Sequence, residues 1–357
     1  MAAPRLEIDL NKIYHNAHTL VKLLSAKGIT VTGVTKATLG SPEIAGALLE
    51  AGVTGLGDSR IENIKAMRDS KVAGSMTLTR SPMLSQADLV VMNADISFNT
   101  ELDVIKMLSL AARRLERIHG IVLMVELGDL REGIMPNELI NTVRETLCLE
   151  NIEFKGIAAN LACRSGVSPD ARNMAELSSF ADSIEEVLGI TVDIVSGGNS
   201  ANLRWALSDA DTGRINNLRL GESILLGCEP LDRQPINGLH TDAITLFGEV
   251  IESKVKPSLP WGEIAQTAFG KKSPPSRDRG SISQTIVAIG MQDTDPGGLL
   301  MPAGIDILGA SSDHLILESD LRVGEELVFQ LNYSAMVRAM TSPFVFKSYS
   351  AREVVDN

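Results

Sequence analysis

Aromatic residues and basic clusters are scarce in this chain of 357 residues. Phe, Trp and Tyr together make up 4% of the residues, with two Trp and three Tyr. That is too few for a surface that stacks sugars or single-stranded bases. The net charge is −12 and no basic block interrupts it, which argues against nucleic acid as a partner. An anionic small molecule remains compatible, because a few local donors can bind a phosphate within an acidic protein.

Cysteines are also few, and no apolar run is long enough to span a bilayer. Cys148, Cys163 and Cys228 are odd in number, widely spaced and in no metal-binding pattern. The first ten residues lack the apolar stretch and the cleavage site of a signal peptide. We therefore expect a cytoplasmic protein that is not inserted in a membrane.

The part of the sequence from about residue 5 to residue 220 alternates β-rich runs with amphipathic stretches. The helical stretches include 10–26, 42–51 and 101–116. The runs are mostly apolar and β-branched, as strands covered on both faces should be. Eight strands are predicted: 31–36, 55–58, 76–80, 96–98, 121–127, 154–160, 192–196 and 217–220. Eight βα units in a row predict a (β/α)₈ barrel, with a doubly wound open sheet as the alternative.

The pattern changes near residue 230, and the length suggests about two domains. Five β-rich segments separated by Pro/Gly turns follow, at 243–256, 283–289, 305–308, 315–317 and 327–331. No convincing helix is predicted there, and 269–280 reads as a surface loop. We predict a barrel domain over 10–230 and an all-β domain over 231–357, which the N-terminal strand 1–9 joins.

A lysine follows the first predicted strand of the barrel. Barrel enzymes carry their sites at the C-terminal ends of the strands. Lys36 closes an apolar strand there, so its amine should point toward the barrel mouth, where an imine-forming lysine is needed. Taken alone, the residue is equally compatible with a lysine that only extends its charge into solvent.

Two donor-rich loops follow the seventh and eighth strands, at 196–200 (SGGNS) and 219–223 (RLGES). This is the common phosphate site of the fold, where glycines let backbone N–H groups approach the ligand. A phosphate site together with an imine-forming lysine points to pyridoxal phosphate, although a lysine aldolase acting on a sugar phosphate remains possible. Arg131 after strand five could offer a charged fork to a phenolate or carboxylate. Asn160 after strand six is a plausible polar contact, and Cys163 is more often a packing residue than a catalyst.

At these residues the sequence resembles the fold-type III pyridoxal-phosphate enzymes of the alanine racemase superfamily, and within it the ornithine racemase branch. The resemblance covers nearly the whole chain. Its most specific stretches are GDSRIEN at 57–63, LGDLREG at 127–133, SGGNS at 196–200, NLRLGES at 217–223 and LGASSDH at 308–314.

The resemblance implies a role for each of these residues. Lys36 would hold the cofactor as a Schiff base and move the α-proton. Arg131 would contact the phenolic oxygen, Asn160 would lie at the ring, and Arg219 would face the pyridine nitrogen, where a protonated arginine makes the ring a poorer electron sink. The phosphate would be surrounded largely by backbone N–H groups. The two loops supply the remaining cofactor contacts: Ser196, Asn199, Ser200, Gly221, Glu222 and Ser223.

Two departures from alanine racemases concern the chemistry. Those enzymes take a second base from a tyrosine of the partner subunit, and the corresponding stretch here is 268–270, where Phe269 cannot transfer a proton. Met124 stands where many of them carry a lysine that supports the arginine. The candidates for the second base are Asp313, His314, Tyr333 and Cys163, of which we favour Cys163 because a thiolate beside cationic groups is a competent base.

The resemblance implies racemisation of a free amino acid, with ornithine or another basic amino acid as substrate. It also implies a head-to-tail homodimer. A non-catalytic pyridoxal-phosphate homeostasis protein is the alternative outside catalysis, but such proteins lack the β domain. An amino-acid decarboxylase is disfavoured because its relatives carry a carboxylate at the position of Arg219. A basic substrate needs an acidic partner, for which Glu263, Asp278 and Asp293 are candidates.

Overall fold

A computed structural model describes residues 3–267, 269–270 and 277–350. The described residues form two compact units, one from Leu10 to Thr241, and the other from the residues up to Asp9 and from Asp242 to Ser350. Residues 231–241 stay with the first unit, although the sequence pattern changes near 230. The reason is visible in helix Leu10–Ser25, where Asn16 donates to the carbonyl of His240 (2.8 Å) and accepts from its N–H (2.7 Å).

The first unit is a closed barrel of eight parallel strands, β2–β9. This confirms the predicted fold and excludes the open sheet, because β9 pairs with β2, from Thr30 opposite Asn217 to Gly33 opposite Leu220. The strands are β2 (Thr30–Val34), β3 (Gly55–Asp58), β4 (Met76–Leu78), β5 (Ile96–Asn99), β6 (His119–Met124), β7 (Ile152–Ala158), β8 (Ile194–Ser196) and β9 (Asn217–Leu220).

Helices surround the barrel and bury its outer face. They are α1 (Leu10–Ser25), α2 (Pro42–Glu50), α3 (Ile61–Asp69), α4 (Ala87–Asn93), α5 (Leu102–Arg114), α6 (Pro136–Leu147), α7 (Ala171–Leu188), α8 (Leu203–Ala206) and α9 (Glu222–Leu226). Capping residues define the ends of α7. Before it, the side chain of Asp170 accepts hydrogen bonds from two backbone N–H groups, and after it Gly189 adopts the left-handed conformation. Within the described residues, no helix is both long and apolar enough to cross a membrane.

The barrel interior contains a cavity of about 320 Å³ with both polar and apolar residues in its lining. Thr30, Thr32, Thr77 and Arg219 are among them, together with Phe98. The side chains of even-numbered β2 residues therefore face inward. Gly33 faces outward, because a Cβ placed on it would lie 3.1 Å from Leu48 of α2. This alternation is the period of two that every strand imposes.

In its described residues the second unit is a mainly antiparallel sheet with one α-helix. Its strands are β1 (Arg5–Asp9), β10 (Ile244–Pro257), β11 (Ser281–Val287), β12 (Leu299–Leu300), β13 (Asp306–Ala310), β14 (Leu315–Glu318), β15 (Glu326–Leu331) and β16 (Phe346–Ser350). The strand order is β12-β15-β10-β11-β14-β13, and β1 joins β10 antiparallel and β16 parallel.

The expectation that this unit has no helix was wrong. Helix α10 spans Tyr333–Thr341, after Asn332, whose side chain accepts the N–H of Ala335. It buries Ala335, Met336, Ala339 and Met340, which is helical spacing. The signal was present in the sequence, but the helix is short and lies among strands.

Candidate active site

The barrel collects the chemically interesting residues of the first unit at one end. All eight strands are parallel in a closed barrel, so the segments that follow them meet at a single mouth. Eleven of the sequence-predicted site residues belong to these strand ends or to the loops after them: Lys36, Arg131, Asn160, Cys163, Ser196, Asn199, Ser200, Arg219, Gly221, Glu222 and Ser223.

Lys36 follows β2 but does not close it. The strand ends at Val34, and Lys36 is the first residue of a 3₁₀ turn that continues to Thr38. Lys36 is exposed to solvent in the single chain. Burial raises the pKa of Glu222, and the nearby charges of Arg233 and Lys36 oppose that effect. The lysine after β2 and the carboxylate after β9 therefore lie near each other at the mouth.

Arg219 is the most deeply placed charge of this group, with 6% of its surface exposed. Its Nη2 donates to the carbonyl of Ala159 (2.7 Å) and its Nη1 donates to the hydroxyl of Ser196 (2.6 Å). The ring of Phe98 lies 5.1 Å from the guanidinium carbon. Burial, with a smaller effect from the charge of Arg131, lowers the pKa of Arg219 to about 10. The guanidinium is therefore still charged at neutral pH.

A hydrogen-bonded chain continues from Arg219 into the barrel. The hydroxyl of Ser196 donates to Oδ1 of Asn217 (2.6 Å). Asn217 donates in turn to the hydroxyls of Thr30 (3.2 Å) and Thr32 (3.1 Å). Because the hydrogen of Ser196 is committed to Asn217, its lone pairs face Arg219. The sequence reasoning missed Asn217, although it stands two residues before Arg219 and so on the same face of β9.

The loops after β8 and β9 are joined to each other. The hydroxyls of Ser200 and Ser223 are 2.9 Å apart, and the N–H of Ser223 also donates to Ser200 (3.2 Å). Gly198 has φ 149°, and a Cβ on it would lie 2.1 Å from the side-chain oxygen of Asn202. A Cβ on Gly221 would lie 3.2 Å from the backbone oxygen of Val34. Position 198 therefore requires glycine, position 221 has little room for a side chain, and both loops leave backbone close to the mouth.

Asp129 ties the loop after β6 to the loop after β7. Its buried carboxylate accepts the N–H groups of Cys163 (3.2 Å), Arg164 (2.9 Å) and Ser165 (3.0 Å). Burial alone would raise the pKa of Asp129, but these backbone donors outweigh it and the pKa is lowered. The carboxylate is therefore held in its charged form by peptide dipoles.

Arg131 and Cys163 are presented by these two tied loops. Arg131 pairs with Glu132 through Nε (2.5 Å) and Nη2 (2.6 Å). The Cys163 side chain is exposed, which differs from the packing role that a cysteine more often has. The Nδ2 of Asn199 lies 3.7 Å from its sulfur and also donates to Oδ1 of Asn160 (3.1 Å). The Nδ2 of Asn160 is buried and has no hydrogen-bond partner in the structure.

The other second-base candidates lie in the second unit. Asp313 is exposed and accepts from Ser312 and His314 (2.9 Å), contacts that lower its pKa. Tyr333 begins α10. In the 268–270 stretch, Phe269 is 47% exposed, and position 268 is outside the described residues.

The three acidic candidates for substrate recognition also belong to the second unit. Glu263 is exposed. Asp278 accepts from Ser258 and from the N–H of Gly280. Asp293 is buried, with 6% exposure, and holds the N–H of Gly290 (2.9 Å). Asp293 is therefore already used in the packing of its own unit.

The known proteins that this chain resembles include several amino-acid racemases. The family model described as alanine racemase, N-terminal domain, matches residues 8–230. The chain is 40% identical to the ornithine racemase of Acetoanaerobium sticklandii, over 96% of this chain and 99% of that protein. It is 36% identical to the lysine racemase of Thermotoga maritima, over 98% and 99%. The alanine racemase structure from Streptomyces coelicolor A3(2) superposes with a TM-score of 0.76 at 17% identity, covering 98% of each chain, and so shares the fold.

Proposed function

Because the chain belongs to the alanine racemase family and is an amino-acid racemase, we propose that it uses pyridoxal phosphate to racemise ornithine or another basic amino acid. The observation that carries the cofactor assignment is the shared mouth. A lysine after β2, a buried arginine on β9 and two glycine-dependent loops after β8 and β9 all lie at one end of the barrel.

The residues present at the mouth fit that cofactor. The Nδ2 of Asn160 is a buried donor with no partner among the described residues, and such groups normally find one. Gly198 and Gly221 keep side chains away from the loops where a phosphate would need backbone N–H groups. Arg219 supplies a charged donor for a ring nitrogen, and Arg131 supplies one for a phenolic oxygen. Ser200, Asn199 and Ser223 are the remaining donors of the phosphate loops.

When bound, pyridoxal phosphate supplies an electron sink for the α-carbon of an amino acid. Lys36 would hold it, and its amine would take or return the α-proton on one face. Cys163, whose exposed thiol lies 3.7 Å from Nδ2 of Asn199, would exchange the proton on the opposite face. Asp313 and His314 remain the alternatives for this step.

Ser196 is better suited to orienting Arg219 than to binding phosphate. Its hydroxyl accepts from Arg219 and donates to Asn217, so both of its strongest hydrogen bonds are already made within the protein. Arg219 would thereby stay aligned and charged beside the ring. A charged arginine there would disfavour protonation of the ring nitrogen and restrain side reactions.

The substrate proposal comes from relatives that span the full chain. The ornithine racemase and the lysine racemase are named for substrates with a cationic side chain. We also propose a homodimer and a cytoplasmic location. The three cysteines are unpaired, which suits a reducing compartment.

The test is a panel of L-ornithine, L-lysine, L-arginine and L-alanine, each incubated with the protein and pyridoxal phosphate. Chiral chromatography should detect the D-enantiomer of ornithine or lysine well ahead of D-alanine. Lys36→Ala should abolish the product, because it removes the group that holds the cofactor. D-alanine as the main product would contradict the substrate proposal, and release of carbon dioxide with a diamine would contradict racemisation.

A further inference from the structure

The GDSRIEN stretch at 57–63 takes no direct part in the proposed chemistry. Its most unusual member is Asp58, the last residue of β3, which is completely buried (0% exposed). Burial raises the pKa of Asp58, and hydrogen bonds from Arg60, Thr35 and Asn63 oppose that effect. A buried carboxylate is costly, so its contacts indicate what it does.

Asp58 connects three segments at the barrel mouth. Its Oδ1 accepts the N–H of Arg60 (2.8 Å) and the Nδ2 of Asn63 (3.1 Å), which fixes the start of α3. Its Oδ2 accepts the hydroxyl of Thr35 (2.8 Å). Thr35 is the residue immediately before Lys36. One carboxylate therefore links the end of β3 to the backbone that carries the cofactor lysine.

The Thr35 side chain faces the outside of the barrel, on the opposite side of the strand from Thr32. Thr32 lines the interior cavity and Gly33 faces α2, so odd-numbered residues of β2 face outward. Thr35 continues this outward series and is held there by Asp58. The N–H of Thr35 also donates to the carbonyl of Gly57 (2.9 Å), which extends the pairing beyond the last residue of β2.

The turn that follows is anchored on the same residue. The carbonyl of Thr35 accepts the hydroxyl of Thr38 (3.0 Å) and the N–H groups of Thr38 (3.0 Å) and Gly40 (3.2 Å). A change in the backbone conformation of Thr35 would therefore disturb both the end of β2 and the 3₁₀ turn. Lys36 is the first residue of this turn and directly follows Thr35, and it is exposed.

We infer that Asp58 is a positioning residue for the racemisation: through Thr35 it fixes the backbone at Lys36, so that the lysine amine is presented to the cofactor. The inference rests on the proposed function, because it requires Lys36 to hold the cofactor. It predicts that the Asp58–Thr35 hydrogen bond controls how fast Lys36 captures pyridoxal phosphate and transfers a proton, more than how tightly the amino acid binds.

The experiment compares Thr35→Val, which removes the hydroxyl at nearly constant shape, with Thr35→Ser, which keeps it. Cofactor is removed, pyridoxal phosphate is added back, and its attachment to Lys36 is followed by absorbance and by borohydride fixation with peptide mapping. Thr35→Val should slow attachment and lower kcat by roughly tenfold, the scale of a lost hydrogen bond to a charged group, with a much smaller change in KM. Thr35→Ser should restore most of both rates, and Asp58→Asn should resemble Thr35→Val.

Ser41→Ala is the matched control. Ser41 caps α2 by accepting the N–H of Ile44 (3.3 Å) and follows the same turn, so its loss should lower the melting temperature without slowing attachment. Attachment at the parent rate in Thr35→Val would overturn the inference, and so would equal slowing in Ser41→Ala, which would indicate general loss of stability. A parent protein that carries no label on Lys36 would instead overturn the proposed function on which the inference rests.

Discussion

Cys163 lies in the loop after β7, whose backbone is hydrogen-bonded to Asp129 of the loop after β6. Asp129 accepts three consecutive N–H groups beginning at Cys163, and the side chain of Ser165 donates to the carbonyl of Asp129 (2.7 Å). The sulfur lies 3.7 Å from Nδ2 of Asn199. A fixed, exposed thiol beside polar groups is what an acid–base cysteine requires.

Replacing Cys163 with Ser should therefore separate the two proton transfers. Serine's hydroxyl is too weak an acid to substitute for a thiolate, so racemisation should fall by at least about 100-fold. In deuterated water, mass spectrometry should still detect α-hydrogen exchange from one enantiomer, the one whose α-hydrogen faces Lys36. Cys148→Ser is the control, since Cys148 is an exposed cysteine at the end of α6, and it should keep full activity. Full racemisation by Cys163→Ser would assign the second base to another residue.

Single residues were predictable from the sequence where strand position alone decides their location. Lys36 and Arg219 could be placed at the mouth because both lie at the ends of apolar runs that alternate with helices. The partners of Arg219 could not be placed in the same way. Ser196 of the neighbouring strand β8 accepts a hydrogen bond from Arg219 and donates one to Asn217, so Asn217 reaches Arg219 only through Ser196, and this arrangement depends on the barrel register.

Strands β5 and β6 share a buried polar contact that should make stability depend on pH. His119 is 1% exposed, and its Nε2 lies 2.8 Å from the hydroxyl of Ser97. Burial is the largest influence on the histidine and lowers its pKa from 6.5 to about 4. As the pH falls below 6.5 the unfolded chain therefore takes up a proton before the folded one does. Stability from this residue is complete above pH 6.5 and is lost as the pH falls toward 4.

Urea unfolding at pH 7 and at pH 5 measures this effect. The contribution of His119 to the free energy of unfolding should fall by about 2 kcal/mol between the two values. His119→Gln, which keeps a hydrogen-bonding group but cannot titrate, should remove that part of the pH dependence. An unchanged pH dependence in His119→Gln would show that the burial of this histidine does not govern acid stability.

Secondary-structure elements were predicted well in the barrel because most strands are short apolar, β-branched runs and the helices between them are amphipathic. The prediction was less accurate at element ends. The pattern extended the first strand to Lys36, whereas β2 ends at Val34 and a 3₁₀ turn begins. That turn depends on Thr35 and Asp58, which are distant in sequence. Helix α10 was missed because it lies among β-rich segments, where a short amphipathic stretch was not read as a helix.

The whole molecule combines a closed parallel barrel with an antiparallel sheet that includes the N-terminal strand. The barrel follows from eight repeated βα units, but closure depends on the pairing of β9 with β2, which no local pattern encodes. Joining β1 to β10 and β16 similarly requires segments from both ends of the chain. The family resemblance therefore supplied what periodicity could not.

Attachment of pyridoxal phosphate to Lys36 can be measured by chemical labelling. The purified protein is incubated with pyridoxal phosphate, reduced with borohydride, digested and mapped by mass spectrometry. We expect one pyridoxyl group per chain, on the peptide that contains Lys36, and none on that peptide in Lys36→Ala. A label on a different lysine, or no stable label in the parent protein, would contradict this expectation.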